Sequence, residues 1–421
     1  MKIYQTFLGL LVICLTACGG NDTPDPGPEP EPPVTQGERS VLVYIAGDNN
    51  LRTFSVNDID EMKEGSMALN DNQNLILYID QRGSDNVLAR VKDGKLIDST
   101  VVKSASSADP AQLEEALRYV RDKYAAKSYG LVLWGHATGW LFKNDTIAYA
   151  KTRAYACDEG TYTTKWMNIP SLANAIQNGM NGEKLAFIHA DCCNFGTVEA
   201  AYELRHVTDY LIASPAEIPD YGADYTSLSD LFDTSSTCYQ KIVDKYYDYY
   251  LKEFENRTTR YYNTQYGDLK GYSVPMMAVK TSELENLAVA TAQLLNTIPD
   301  KLKPSGTIDF NNVIFYAVND GLKHNYDMYK TLKENTPEAD FNEWKSAFEK
   351  AVPYYRMSAR WYSTNTTLRT TMASFVAIST DCHVLSMFFP RNTYNNAYPS
   401  WNKTIQQLQW NGPISWQQYG W

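Results

Sequence analysis

The sequence predicts an α/β sandwich over residues 39–255 with a mostly parallel central sheet, followed by a C-terminal region, 256–421, that extends the sheet or packs on it. Three observations predict it. Short apolar runs rich in β-branched residues recur through the first half, helical patterns fall between them, and a His and a Cys stand where two of the runs end. At 421 residues and 47.7 kDa the chain is long enough to bury a large core.

The first element is targeting rather than fold. "MKIYQT" supplies a short positive segment and "FLGLLVICLTA" an apolar one too short to span a bilayer, so residues 1–17 read as a signal peptide. Leu15, Thr16, Ala17 and Cys18 resemble the lipobox of bacterial lipoproteins, in which the chain is cut before the cysteine and that cysteine is lipidated. The alternative is a plain secretory signal in which Cys18 is incidental. "GGNDTPDPGPEPEPPVTQGE" cannot pack a core, and residues 18–38 are expected to form an extended tether. The expected location is outside the cytoplasm, anchored to a bacterial membrane, the outer one by preference, through a lipid on Cys18.

The strands follow in order: "SVLVYIAG" from Ser40, "NLILYID" from Asn74, "YGLVLWGH" from Tyr129, "KLAFIHAD" from Lys184 and "YLIASPAEIP" from Tyr210. Their continuous apolar character is that of parallel strands covered on both faces. Between the second and third, Leu113, Ala116, Leu117, Val120 and Tyr124 recur at helical spacing, with Asp109 and Pro110 suited to the cap and first turn. "MNIPSLANAIQNGM" supplies a crossover helix before the fourth. Beyond Tyr261, "GYSVPMMAVKTSELENLAVATAQLL" gives a strand and then a helix, and "CHVLSMFFP" a late apolar strand.

Composition narrows the function. A formal charge of −11 argues against binding a phosphate backbone, so nucleic acid is not an expected partner. The 31 Tyr and 9 Trp fit either an aromatic core or an aromatic surface. With Cys14 lost with the signal and Cys18 assigned to lipid, Cys157, Cys192, Cys193, Cys238 and Cys382 remain, an odd number, so at least one thiol is unpaired. The adjacent Cys192 and Cys193 have the wrong spacing for a zinc pair, and no metal site is expected.

Chemistry in open α/β sheets collects at the carboxyl ends of strands. His136 follows "LVLW" and Cys193 follows "FIHAD". Period-2 geometry puts His189, Asp191 and Cys193 on one side and Ile188, Ala190 and Cys192 on the other, so Cys193 is the reactive candidate and Cys192 a small buried hydrophobe. A nucleophilic thiol needs a base and oriented N–H groups for the developing oxyanion. His136 is the candidate base, the backbone N–H groups of Ala137 and Cys193 the candidate oxyanion hole, and the following helix N-terminus a source of positive field. A core cysteine and a satisfied histidine would give the same spacings.

The blocks "VLVYIAGDNNLRTF" with "DIDEM", "YGLVLWGHATGW", "DCCNFGTVEAAYEL", "ASPAEIPDYGADY" and "HVLSMFFPR" with "YPSW" resemble, in order, those of the clostripain family of cysteine peptidases. The resemblance implies a caspase-like three-layer sandwich. It implies His136 and Cys193 as catalytic residues, and Asp191 as a substrate-binding residue in a pocket for a basic P1 side chain, with a carboxylate matched to Arg or Lys. The family pattern around the histidine resembles W-D-H-G-G-G-W, so Ala137 and Thr138 depart from it. Around the cysteine it resembles D-A-C-L-M-G-S-V-E, where Cys192, Asn194 and Phe195 depart and Gly196, Val198 and Glu199 agree.

The implied activity is an endopeptidase cleaving after Arg or Lys through a thioester acyl-enzyme, with peptide or protein substrates and no required cofactor. A calcium requirement, known for some relatives, has no recognisable ligand loop here. Some relatives mature by self-cleavage between histidine and cysteine, where Lys143, Lys151, Arg153 and Lys165 are available. Two other readings share these residues: a lapsed peptidase-like surface protein that binds peptide or glycan, and an amidase or transpeptidase in which another amine resolves the thioester.

Overall fold

The computed structural model describes residues 36–102, 106–141, 155–159, 165–256, 270–319, 321–361, 363, 382–397 and 400–421. The signal peptide, Cys18, most of the tether, Lys143, Lys151 and Arg153 lie outside the described residues. The chain runs through β1 (Arg39–Gly47), α1 (Arg52–Ser66), β2 (Gln73–Gln81), β3 (Asn86–Lys92), β4 (Lys95–Val102), α2 (Pro110–Lys123) and β5 (Tyr129–Gly135). A short antiparallel pair, β6 (Tyr155–Asp158) and β7 (Lys165–Met167), precedes α3 (Ile169–Gly179), β8 (Phe187–Cys192), α4 (Val198–Glu203), β9 (Tyr210–Ala213) and α5 (Cys238–Glu255). The second half adds β10 (Tyr272–Ser273), β11 (Met276–Lys280), α6 (Leu284–Leu295), α7 (Pro299–Leu302), β12 (Phe315–Asn319), β13 (Leu322–Asp327), α8 (Met328–Asn335), α9 (Glu338–Ala351), β14 (Tyr354–Arg356), β15 (Arg360–Trp361) and β16 (Ser386–Met387).

The large sheet has the order β14-β11-β9-β8-β5-β1-β2-β3-β4. Its middle, from β9 to β2, is parallel, and both edges are antiparallel. Every residue of β1, β5 and β8 is buried, which is why those stretches read as unbroken apolar runs. Alternate residues feed two layers. Leu42, Tyr44 and Ala46 join a cluster with Leu113 and Leu117 of α2 and Leu172 and Ile176 of α3. Val41, Val43 and Ile45 join another with Ile59 and Met62 of α1 and Ile242 and Tyr246 of α5. Each such fully buried aliphatic side chain is worth about 1.5–3 kcal/mol relative to exposure. The α2 start is as expected, with Asp109 accepting from the Ala111 N–H at 3.0 Å and Pro110 in the first turn.

Several boundaries differ from the sequence expectation. The strand expected from Lys184 begins at Phe187, because Leu185 makes only an isolated bridge with Thr208. The strand expected from Tyr210 to Pro219 stops at Ala213, since Pro215 and Pro219 have no N–H to continue a ladder. The hairpin β3–β4 was not expected. "CHVLSMFFP" yields only the two residues of β16, paired with β13 in a separate three-stranded sheet. The C-terminal half both extends the main sheet, through β11 and β14, and builds that smaller sheet.

The aromatic residues answer the question that composition raised. Trp134, Trp140, Trp344, Trp361, Trp401, Trp410 and Trp416 are each less than 2 % exposed, so tryptophan here is core material.

Candidate active site

β5 and β8 lie side by side in parallel register, Gly130 opposite Phe187 and Gly135 opposite Cys192. The residues that follow them, His136 and Cys193, therefore leave the sheet together. Both line a cleft of about 70 Å³ with Leu51, Trp134, Gly135, Asp191, Ile218, Pro219, Asp220 and Gly222.

The two cysteines separate as the strand alternation requires. Cys192 is 0 % exposed and packs in the same cluster as Ile188 and Ala190, and burial pushes its thiol well above the ordinary range. Cys193 is half-buried and opens to the cleft. Its Sγ lies 3.5 Å from the Ile218 amide nitrogen, which donates to it, and 3.8 Å from the Ile218 carbonyl. Among the described residues no two cysteines are joined by a disulfide.

The turn after Cys193 is fixed by backbone. Asn194 sits at φ 59° with its N–H on the Ala216 carbonyl at 2.8 Å, and the Gly196 N–H reaches the Ser214 carbonyl at 2.7 Å. A Cβ on Gly196 would stand 2.5 Å from the Pro215 nitrogen, so only glycine fits. Gly139, at φ 67°, is pressed in the same way against the Asn194 carbonyl oxygen. The helix expected near Gly196 begins at Val198 and runs six residues. A polar group placed against the thiol is the Ile218 amide.

His136 Nε2 lies 2.7 Å from Asn50 Oδ1. Ala137 is 4 % exposed and forms an isolated antiparallel bridge with Tyr155 of β6. Of the four candidates for self-cleavage, Lys143, Lys151, Arg153 and Lys165, the last is described, exposed at the start of β7.

Asp191 forms the cleft floor. It is 2 % exposed; Oδ2 accepts from the Ala223 N–H at 2.9 Å and the Tyr225 hydroxyl at 2.7 Å, and Oδ1 from the Tyr246 hydroxyl at 3.1 Å. Burial raises its pKa and the three hydrogen bonds oppose the rise. His189, two residues earlier, supplies no compensating charge, because burial and then Lys245 push it down to about 3 and leave it neutral. Gly222 closes over the floor at φ 62°, where a Cβ would stand 2.7 Å from Asp191 Oδ2 and 3.0 Å from Asp58 Oδ2. Asp58 in turn accepts from the Trp134 indole N–H at 2.6 Å. A second carboxylate, Asp220, lines the cleft, its pKa raised by burial.

A larger cavity of about 240 Å³, bordered by Lys301, Phe310, Arg391 and Trp416, contains no thiol and no histidine. Among the described residues no group of three or more His, Cys, Asp or Glu is placed to hold a metal ion, and no helix is long and apolar enough to cross a membrane. The sequence reading did not single out Asn50, Ile218 or Asp220. Asp220 had a signal, the turn-forming "PDYG" after the fifth strand; Asn50 sits in "GDNN", which reads as any turn.

A thiol and an imidazole delivered by neighbouring parallel strands to one cleft, in a three-layer sandwich, are the equipment of a caspase-like cysteine peptidase. The chain belongs to the clostripain family, the C11 cysteine peptidases, whose model matches residues 43–421. It is 26 % identical over 224 residues to clostripain of Hathewaya histolytica, a match that spans 45 % of this chain and 41 % of that protein. Among solved structures it is similar to a secreted C11 cysteine protease from Bacteroides thetaiotaomicron in complex with an irreversible peptide inhibitor. That likeness has 27 % identity, 91 % of this chain, 100 % of the other and a TM-score of 0.70. An inactive zymogen C11 protease from Parabacteroides distasonis is similar at 25 % identity, 90 % and 99 % coverage and a TM-score of 0.69.

Proposed function

We propose that this chain hydrolyses peptide bonds on the carboxyl side of Arg or Lys, with Cys193 as nucleophile and His136 as general base and acid. His136 takes the thiol proton as Sγ attacks the scissile carbonyl, then gives it to the departing amine, leaving a thioester. Water, deprotonated by the same imidazole, adds to the thioester, and the thiol leaves with its proton restored. Backbone N–H groups of Ala137 and Cys193 are the proposed oxyanion donors.

One observation carries the basic preference: the floor of the cleft that holds both groups is a buried carboxylate, Asp191, whose three hydrogen-bond partners are all neutral. Such a group gains most from a cation brought to it, and Asp220 lies nearer solvent on the same cleft. Because burial raises the Asp191 pKa, the carboxyl is protonated at low pH, and binding of a basic side chain strengthens as pH rises through that raised value. The buried tryptophans disfavour the reading of a surface that stacks on glycans.

Residues 1–38 support export and a lipid on Cys18, and the Bacteroides thetaiotaomicron relative is a secreted protease. Fatty-acid labelling that persists in Cys18→Ser would sink the lipid assignment.

The activity is tested with fluorogenic peptides differing only at P1. Cleavage after Arg or Lys is expected, lost about 10⁴-fold or more in Cys193→Ala and kept in Cys192→Ala. In Asp191→Asn the ratio of basic to neutral P1 is expected to fall about 10- to 100-fold, the worth of one charge-assisted bond. Absence of turnover at every P1 would return the chain to the binding-protein reading.

A further inference from the structure

We infer that Asn50 is a positioning residue for His136, fixing the proton on Nε2 and leaving Nδ1 as the nitrogen that exchanges a proton with Cys193. The inference rests on the proposed roles of those two residues. An amide oxygen accepts and does not donate, so the 2.7 Å contact between Asn50 Oδ1 and His136 Nε2 requires the hydrogen on Nε2. A neutral imidazole carries one hydrogen, and the lone pair then sits on Nδ1. When Nδ1 takes the thiol proton, the imidazolium still donates to Asn50 through Nε2, so the hydrogen bond holds in both states of the cycle.

The loop that presents Asn50 is built to be stiff. It leaves β1 beside β5, with Ala46 opposite Gly135, one residue before His136. Asn49 is 2 % exposed; its Oδ1 accepts from the Leu51 N–H at 2.8 Å, and its Nδ2 donates to the Ala46 carbonyl at 3.0 Å and the Cys157 carbonyl at 2.7 Å. The Asp48 carbonyl accepts from the Glu159 N–H at 2.9 Å. The loop is thus stapled to β1 below and to the β6 segment beside it. Asn50 itself is exposed, and among the described residues the hydrogen bond its side chain makes is the one to the imidazole, which points to that ring as the reason for it.

The test uses the full chain and two substitutions. Asn50→Ala removes the acceptor; kcat is expected to fall roughly 10-fold or more, as for loss of part of a general-base contribution, with KM within about twofold. Asn50→Asp accepts the same hydrogen bond and stabilises the imidazolium, so it is expected to restore most of kcat and move the histidine-dependent limb of the pH profile upward. Equal losses in both variants, a loss confined to KM, or an unchanged kcat and pH profile in Asn50→Ala would each overturn the inference.

A second readout needs no turnover: the rate of Cys193 alkylation by iodoacetamide against pH, followed by peptide mass spectrometry. The profile is expected to change in Asn50→Ala in the same direction as in His136→Ala. If it does so while the wild type cleaves no peptide, the peptidase reading fails and the role of Asn50 stands. If the wild type cleaves peptides and neither readout responds to Asn50→Ala, the role of Asn50 fails alone.

Discussion

The two strand ends that meet at the cleft are held in opposite ways. After β8 the chain is clamped by its own backbone: Asn194 and Gly196 bond to the carbonyls of Ala216 and Ser214, the Ser386 N–H reaches the Gly196 carbonyl at 3.1 Å, and glycines stand where a Cβ would collide. After β5 the imidazole is reached by a side chain, that of the exposed Asn50. Side-chain changes should therefore detune the histidine end while leaving the fold alone. The cysteine end should resist them, and fail only when the backbone is forced apart or its support is withdrawn.

The strongest way to break this contrast is Gly196→Ala. Its Cβ would press on the backbone at Pro215 rather than on a side chain that can turn away. A destabilisation of about 1–3 kcal/mol is expected, read by urea unfolding, together with loss of most peptidase activity. Full activity in a folded Gly196→Ala protein would show that the clamp is dispensable.

A milder probe acts on the support beneath the clamp. Glu199 of α4 is 0 % exposed, accepts from the Phe388 N–H at 2.7 Å, and burial raises its pKa to about 7 from 4.5. Since the folded value is the higher one, the folded state holds the proton more tightly. The stabilisation is fully present below about pH 4.5 and is lost as pH rises through about 7. Asp80, raised by burial to about 6, adds a slope of the same sign. Glu199→Gln should flatten stability between pH 5 and 8, raising it by about 1–2 kcal/mol at the upper end. Thermal unfolding across that range checks it, and parallel curves for wild type and variant would remove Glu199 as the source.

The smallest effect sharpens the difference between the neighbouring thiols. Cys192→Ser places a hydroxyl among Ile188, Ala190 and their neighbours, at a cost of about 1–3 kcal/mol in stability, while kcat per folded molecule stays within about twofold. A fall in kcat comparable to that of Cys193→Ala, measured by titrating active sites, would dissolve the distinction.

The parts of the fold and site that were legible are those with one dominant physical signal. Strands buried on both faces cannot alternate, so β1, β5 and β8 announced themselves as apolar runs; the alternation of side chains along β8 then put Cys192 in the core and Cys193 at the cleft. The hairpin β3–β4 was missed because its outer strand carries Lys95, Asp98 and Thr100 and is mostly exposed, the pattern of a loop. Asn50 and Ile218 were missed for another reason. Their parts depend on which loops the sheet order brings together, β1 beside β5 and residues 214–222 over β8, and pairing across such distances leaves no local mark in composition.

The order of the large sheet carries a last consequence. Within the large sheet β1 to β5 lie on one side of the β5–β8 seam and β8, β9, β11 and β14 on the other, and His136 and Cys193 leave the two strands of the seam into one cleft. A peptide bond broken between β5 and β8 would leave two fragments, each with part of the sheet and one of the two proposed catalytic residues. They would stay joined along the ladder from Gly130–Phe187 to Gly135–Cys192 and through the shared core. Such a nicked protein would be an obligate heterodimer. Recovery of its activity after unfolding would follow second-order kinetics and slow on dilution, whereas the uncut chain would refold at a rate independent of concentration.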